Sequence, residues 1–190
     1  MNRQLYDLIN AYEAVSEQEQ ADRQVMLDFI TTFEDVTTRN NRFGHFSASP
    51  WIINEDATNV LMVYHRIYQS WSWCGGHLDG DFDPLDTAIR EGKEETGLTK
   101  LSLLYHQPLA LDVLAVPPHV RRGFFVSSHI HLNITYLCMG DESETLMIKP
   151  DENSAVRWIP VSEVLSIVQE KDMKPVYEKL IQATKRFVHS

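Results

Sequence analysis

Residues 75 to 97 read GGHLDGDFDPLDTAIREGKEETG. Asp83 and Pro84 are placed to cap and begin a helix, and Gly97 is placed to end it. On that helix Glu91, Glu94 and Glu95 stand at i, i+3 and i+4, so their carboxylates share one face. Like charges at that spacing repel and weaken an isolated helix. A divalent cation among them removes the repulsion, and an all-oxygen donor set suits Mg²⁺ or Mn²⁺. Mg²⁺ in turn points to a phosphorylated substrate. The competing reading is a solvated acidic face, which an ordinary helix with this spacing would favour.

Working outward, strand-like segments surround this helix. Ser47–Ile53 and Asn59–Tyr64 carry β-branched and aromatic residues on either side of the turn-rich Asn54-Glu55-Asp56. Leu101–Tyr105, Leu109–Ala115, His129–Leu137 and Val156–Ile159 read as further strands. The segments 117 to 126 and 140 to 153 read as loops. Ser162 is placed to cap a helix over 163 to 170, and Asp172 one over 173 to 188. Strands interrupted by a central helix and closed by others predict an α/β fold.

Upstream, residues 3 to 15 and 16 to 36 read as helices. Ser16 and Glu19 have capping-box spacing, and Val25, Met26, Phe29, Ile30 and Phe33 form an apolar stripe. Residues 1 to 42 are read as an N-terminal helical extension packed on a core of residues 43 to 190, a division implied by the family resemblance that residues 76 to 98 carry. The soft boundary lies where the helical period gives way to strand alternation.

The chain has 190 residues, enough for one domain with an extension. Its 43% hydrophobic and 23% charged content is that of a soluble globular protein. Seventeen basic and 27 acidic side chains give a net charge of −10, which disfavours nucleic acid as a partner. There is no apolar run of membrane-spanning length and no signal-peptide pattern, so a cytoplasmic protein without membrane contact is expected. Cys74 and Cys138 are the only cysteines and do not form a secreted disulfide framework.

The stretch from Gly76 to Leu98 resembles the Nudix box, G-x5-E-x7-R-E-U-x-E-E-x-G-U, where U is a bulky aliphatic residue. Gly76, Arg90, Glu91, Glu94, Glu95, Gly97 and Leu98 match it. Phe82 departs from it at the first glutamate and Gly92 at the bulky aliphatic. The resemblance implies a Nudix-type α/β/α sandwich with a mixed sheet. It implies a Mg²⁺- or Mn²⁺-dependent hydrolase cleaving a diphosphate linkage in a small, nucleoside-diphosphate-type metabolite. By the same resemblance, Glu91, Glu94, Glu95 and the Gly75 carbonyl hold the metal, Arg90 steadies the glutamates by a salt bridge, and Glu91 is either ligand or general base. Many members are homodimers, and the N-terminal helices are available for such an interface.

Two alternatives stay open. Isopentenyl-diphosphate isomerases share the fold and use a cysteine, which invites comparison with Cys74, although their histidine-rich metal set has no recognisable match in the chain. A non-catalytic ligand-binding module of the same fold is the other, with Phe82 as its motive.

Further candidates come from the residues themselves. His129, His131 and Asn133 share one face of their strand, placed either to contact substrate phosphate or to lie on a hydrogen-bonded sheet face. Asp112 is a candidate partner for either histidine. Arg121 and Arg122, in the 117 to 126 loop, are candidates for phosphate recognition or are merely solvated. The Nudix resemblance, rather than the residues, implies a further downstream acid as base or ligand, for which Asp141, Glu142, Glu144, Asp151 and Glu152 are all candidates. Asp79 or Asp81 stands near enough to Phe82 to replace the missing glutamate, while Trp71 and Trp73 are expected in packing. Gly92 points inward and leaves room for a close neighbour.

Overall fold

The computed structural model describes residues 2–121 and 123–188. The chain divides into two compact units. One comprises Met1–Ala48, Gly76–Thr87 and Ala110–Ile134, and the other Ser49–Gly75, Ala88–Leu109 and Thr135–Ser190. Three elements, β1 (Gly44–Ile53), α3 (Pro84–Thr96) and β9 (His129–Gly140), contribute residues to both. The α/β fold with a mixed sheet and N-terminal helices agrees with the sequence expectation.

The first unit begins with α1 (Arg3–Ala11) and α2 (Glu17–Thr32), each shorter than the periodicity predicts. Ser16 caps α2 by accepting the Glu19 amide at 3.1 Å. Glu19 completes the cap by accepting the Val15 amide at 3.0 Å and the Tyr12 hydroxyl at 2.9 Å. This buried carboxylate closes the α1–α2 turn, so the chain leaves helical geometry at Tyr12. Asp22 of α2 accepts the Val113 amide of β6 (Ala110–Val116) at 2.9 Å, tying helix to strand. The short β4 (Gly76–His77) runs antiparallel to β1 with Ser47 opposite His77.

The segment read as a loop from 117 to 126 contains a hairpin instead. Strands β7 (His119–Arg121) and β8 (Phe124–Val126) pair antiparallel, and Gly123 at φ +83° turns the chain between them. The Pro117-Pro118 pair masks this in the sequence, while the β-forming residues beyond it are paired by a turn that only a positive φ permits.

In the second unit β2 (Asn59–His65) pairs antiparallel with β10 (Asn153–Pro160) and β3 (Ser70–Ser72), and meets β1 at Ile53–Val60. Strand β5 (Leu101–Leu103) pairs with β9. Strand β1 is buried at all ten positions, so it lacks the polar–apolar alternation of a half-exposed strand and extends further than expected. The C-terminal helices differ from the sequence reading. Helix α4 is only Val164–Ile167, with no side-chain cap from Ser162, and Asp172 lies inside a 3₁₀ turn, Lys171–Met173, leading into α5 (Lys174–Val188).

Tyr177 of α5 is fully buried and packs against Trp51 and Trp73, with ring centroids 5.9 and 5.5 Å away. Its hydroxyl lies 3.2 Å from Ser72 Oγ and accepts the Trp73 amide at 3.3 Å. That fixes the chain just before Gly75. No helix among the described residues is long and apolar enough to cross a membrane.

Candidate active site

Helix α3 is built as its sequence requires. Asp83 accepts the Leu85 amide at 2.9 Å, and Gly97 ends the helix at φ +79° with its amide on the Lys93 carbonyl. Gly92 sits where a Cβ would come within 2.9 Å of both Leu101 Cδ2 and Pro50 Cγ. The space a bulky aliphatic would fill is already taken, so glycine lets the helix lie against these residues.

One face of α3 carries the carboxylates. Glu91 and Glu95 are 8% and 3% exposed. Oxygens of Glu91, Glu95 and Glu152 all lie within 4.8 Å of one another. Glu94, the third glutamate of the sequence pattern, lies outside this tight group. Arg90 Nη1 reaches Glu91 at 2.8 Å and Glu94 at 3.9 Å. The Gly75 amide donates to Glu95 at 2.9 Å.

Glu152 comes from the loop before β10. Asn153, fully buried, donates to the Glu95 carbonyl at 3.0 Å and accepts the Lys149 amide at 3.2 Å. The Met147 amide meets the Thr96 carbonyl at 2.8 Å. These bonds fasten residues 147 to 153 to the end of α3. They bring in Lys149, whose Nζ is 3.1 Å from Glu94 and Glu152 and 3.8 Å from Glu91.

The electrostatics follow from crowding and burial. Burial raises the Glu91 pKa above the usual carboxylate value, against the pull of Lys149 and Arg90. Burial pushes Glu95 up to about 8, opposed by the Gly75 amide and reinforced by Glu152 and Glu91. Burial pulls the Lys149 pKa down, but hydrogen-bonded Glu152 and Glu94 outweigh it and hold it above the ordinary lysine value. Carboxylates so crowded favour a cation, and the hard oxygen set fits Mg²⁺ or Mn²⁺.

Of the other downstream acids, Glu142 binds Asn54 and Asn59, Glu144 binds Thr99 and the Lys100 amide, and Asp141 binds Ser143. Glu152 is the one drawn to the cluster. Lys149 and Asn153 were not in the sequence reading, and no local pattern marks them. Phe82 is 59% exposed, and the Asp79 carboxylate is held by Arg39 at 2.6 Å. Cys74 is fully buried, and burial, then Glu95 and Glu91, holds its thiol well above its usual pKa.

The first unit gathers a second group. Ring nitrogens of His45, His77 and His131 lie within 4.8 Å of one another. His131 Nε2 is 3.1 Å from His77 Nε2 and 3.3 Å from His129 Nε2. His129 Nδ1 also faces the Ser127 carbonyl at 2.9 Å. The sheet register explains the gathering. Ser47 stands opposite His77, so His45, two residues earlier on the same face, is a diagonal neighbour of His77. Ser47 Oγ donates to Asn133, which shares a strand face with His131 and His129.

Burial, then neighbouring His129, lowers the His45 pKa to about 4, and burial, then His45 and His129, lowers His131 to about 3. Sequence reading found His129 and His131 as a pair but not their meeting with His45 and His77. Asp112 is 1% exposed in β6, and Trp71 packs edge-on against Tyr64 under the Arg157 guanidinium. Arg121 belongs to β7 by its backbone, and its side chain, like all of Arg122, lies outside the described residues.

The family model described as NUDIX domain matches residues 45–183. The chain is 29% identical over 136 residues to the CMP-5'-(N-acetyl-N-hydroxy-3-aminopropyl)phosphonate hydrolase of Streptomyces rubellomurinus, a match covering 66% of this chain and 58% of that protein. It is also 29% identical over 122 residues to the RNA pyrophosphohydrolase of Brucella abortus, covering 60% and 67% respectively. The chain thus spans under two thirds of the first of these relatives. Among solved structures, a NUDIX-family hydrolase from Clostridium perfringens superposes with a TM-score of 0.56 at 18% identity, over 76% of this chain and 99% of that one. A C. elegans Ap4A hydrolase gives 0.55 at 18% identity, over 76% and 97%. At such identities the structural likeness speaks to the fold.

Proposed function

Because this chain belongs to the Nudix family, we propose that it is a divalent-metal-dependent hydrolase cleaving a diphosphate-type linkage in a small nucleotide metabolite. The observation that carries the reading is the convergence of Glu91, Glu95 and Glu152, two of them buried, within 4.8 Å. A buried repulsive group of this kind is costly unless a cation joins it. In this reading Glu91, Glu95 and Glu152 hold Mg²⁺ or Mn²⁺, and Glu94 lies at the rim with Lys149 and Arg90. When bound, the ion neutralises phosphate charge and lowers the pKa of a coordinated water.

The protein's own groups do the positioning. The Gly75 amide fixes one oxygen of Glu95, which leaves its other oxygen free to face a cation. Arg90 clamps one oxygen of Glu91 at 2.8 Å. Asn153 holds the loop that delivers Glu152 and Lys149. Glu91 and Glu152 are the candidates to take a proton from the attacking water, both belonging to the group yet less buried than Glu95. The Lys149 ammonium adds positive charge for a phosphate once its carboxylate partners turn to the ion.

The substrate class rests on the relatives' names, one a hydrolase of a CMP phosphonate and the other an RNA pyrophosphohydrolase. Both act on phosphorus groups carried by a nucleotide or by RNA. The net charge of −10 favours a small metabolite over a polyanion. Two free, buried cysteines fit a reducing, cytoplasmic setting. Residues 1 to 42 are read as an extension to the hydrolase domain. The isomerase alternative is weakened because Cys74 has no exposed surface to touch an alkene.

The test is nucleotide or phosphate release from nucleoside triphosphates, nucleotide sugars, nucleotide phosphonates and dinucleoside polyphosphates with Mg²⁺ or Mn²⁺. Turnover that is abolished in Glu95→Gln supports the hydrolase and identifies its substrate. Ligand binding without turnover in the native chain replaces it with the sensing module that Phe82 motivates.

A further inference from the structure

The first unit holds a feature that the proposed hydrolase does not use. Three strands bring four histidines together: the His131 ring faces those of His77 and His129, and His129 Nδ1 also faces the Ser127 carbonyl. The His131 Nε2 atom faces two other imidazole nitrogens, at 3.1 and 3.3 Å. A single ring nitrogen either donates one proton or accepts with one lone pair, so it serves only one of these neighbours well. His45 is 4% exposed, and neither of its ring nitrogens has a hydrogen bond of full geometry, the Asn41 backbone acting only weakly on it. Buried imidazole nitrogens are costly in that condition.

The spacing resolves the problem in one way. A tetrahedral zinc-like ion with bonds of about 2.0–2.1 Å spaces its ligand nitrogens about 3.3–3.4 Å apart. The close His77–His131 contact, with His45 within 4.8 Å, is already near that spacing. The donor set is all imidazole, which selects zinc, copper, nickel or ferrous iron over the hard ions that suit carboxylates. Arg39, a cation that acts on His45 and His131, is paired with Asp79, which offsets its repulsion of a bound ion.

We infer that His45, His77 and His131 form a binding site for a divalent transition-metal ion of the zinc class. Three protein ligands leave a fourth position for water, for an anionic oxygen or for the adjacent His129. The inference does not depend on the carboxylate reading, which concerns other residues and a harder ion.

The test is a visible-absorption titration of the metal-free full chain with Co²⁺, which absorbs strongly only in a four-coordinate site. The native protein is expected to take up one equivalent with intense bands, and Glu95→Gln is expected to do the same. His77→Gln and His131→Gln, both at partly exposed positions, are expected to lose affinity on the order of 100-fold or more while keeping native circular dichroism. Failure of the native chain to develop such bands would overturn the site. So would bands that vanish in Glu95→Gln and persist in both histidine variants, because they would belong to the carboxylates.

Discussion

Restoring the family's bulky aliphatic at Gly92 should damage this protein. A Cβ at residue 92 would stand 2.9 Å from Leu101 Cδ2, 2.9 Å from Pro50 Cγ and 3.4 Å from Ile52 Cδ1. Leu101 can swing its methyl aside, but the Pro50 ring is fixed to the backbone of fully buried β1. For Gly92→Ala, helix propensity favours the variant by about 1 kcal/mol. Overpacking opposes it by about 1–3 kcal/mol, for a net loss of about 0–2 kcal/mol. Gly92→Leu adds three carbons to the same filled space with almost no further gain in propensity, so its loss is expected at about 3 kcal/mol or more. For a chain of this length each kcal/mol moves Tm by about 2–4 °C, so Gly92→Leu should melt at least about 6 °C lower. Urea denaturation with an unchanged slope, compared across the three proteins, measures the effect. A Gly92→Leu protein as stable as the parent would show that α3 does not rest on Pro50 and Leu101 as described.

Lys149→Met should raise Mg²⁺ or Mn²⁺ affinity while lowering the stability of the metal-free chain. The ammonium lies within 3.8 Å of three carboxylates; two unit charges about 4 Å apart repel by about 1–4 kcal/mol at effective dielectrics of 80 to 20, and a divalent ion doubles that. Titration calorimetry should therefore show at least about a fivefold gain in affinity, and a fall would mean that Lys149 supports the ion instead of standing in for it. Neither cysteine should react with a disulfide reagent in the native protein near pH 8. Burial pushes Cys138 up to about 12 and Cys74 well above its usual value, so both thiols stay protonated as pH rises through the ordinary thiol range. Prompt labelling of either thiol without denaturant would contradict that burial.

What the sequence revealed was what is local. The cap at Asp83, the stop at Gly97 and the shared face of Glu91, Glu94 and Glu95 each depend on residues within about one turn of each other, and helical geometry converts such spacing directly into position. Strand ends were less legible because they depend on partners. Strand β1 reaches back to Gly44 through burial on both faces, and β7 and β8 form because Gly123 lets the chain turn after the prolines that announced a loop. Helix α1 stops short of the expected residue 15 because the Glu19 carboxylate takes up the backbone and hydroxyl donors of the turn that follows it.

The same division separates the two side-chain groups. Within the carboxylate group, Glu91 and Glu95 follow from one helix, whereas Glu152 and Lys149 arrive because Asn153 ties their loop to the Glu95 carbonyl and Met147 to the Thr96 carbonyl. A list of five downstream acids could not choose among them, because the choice is made by a buried amide far from the acids in character. Among the histidines, the alternation at 129 and 131 is visible in the chain, but His45 and His77 meet through the register that sets Ser47 opposite His77. A shift of that register by one residue would send His45 to the other face and dissolve the group. The histidine grouping of the first unit is thus a property of strand pairing, and no spacing within a single segment encodes it.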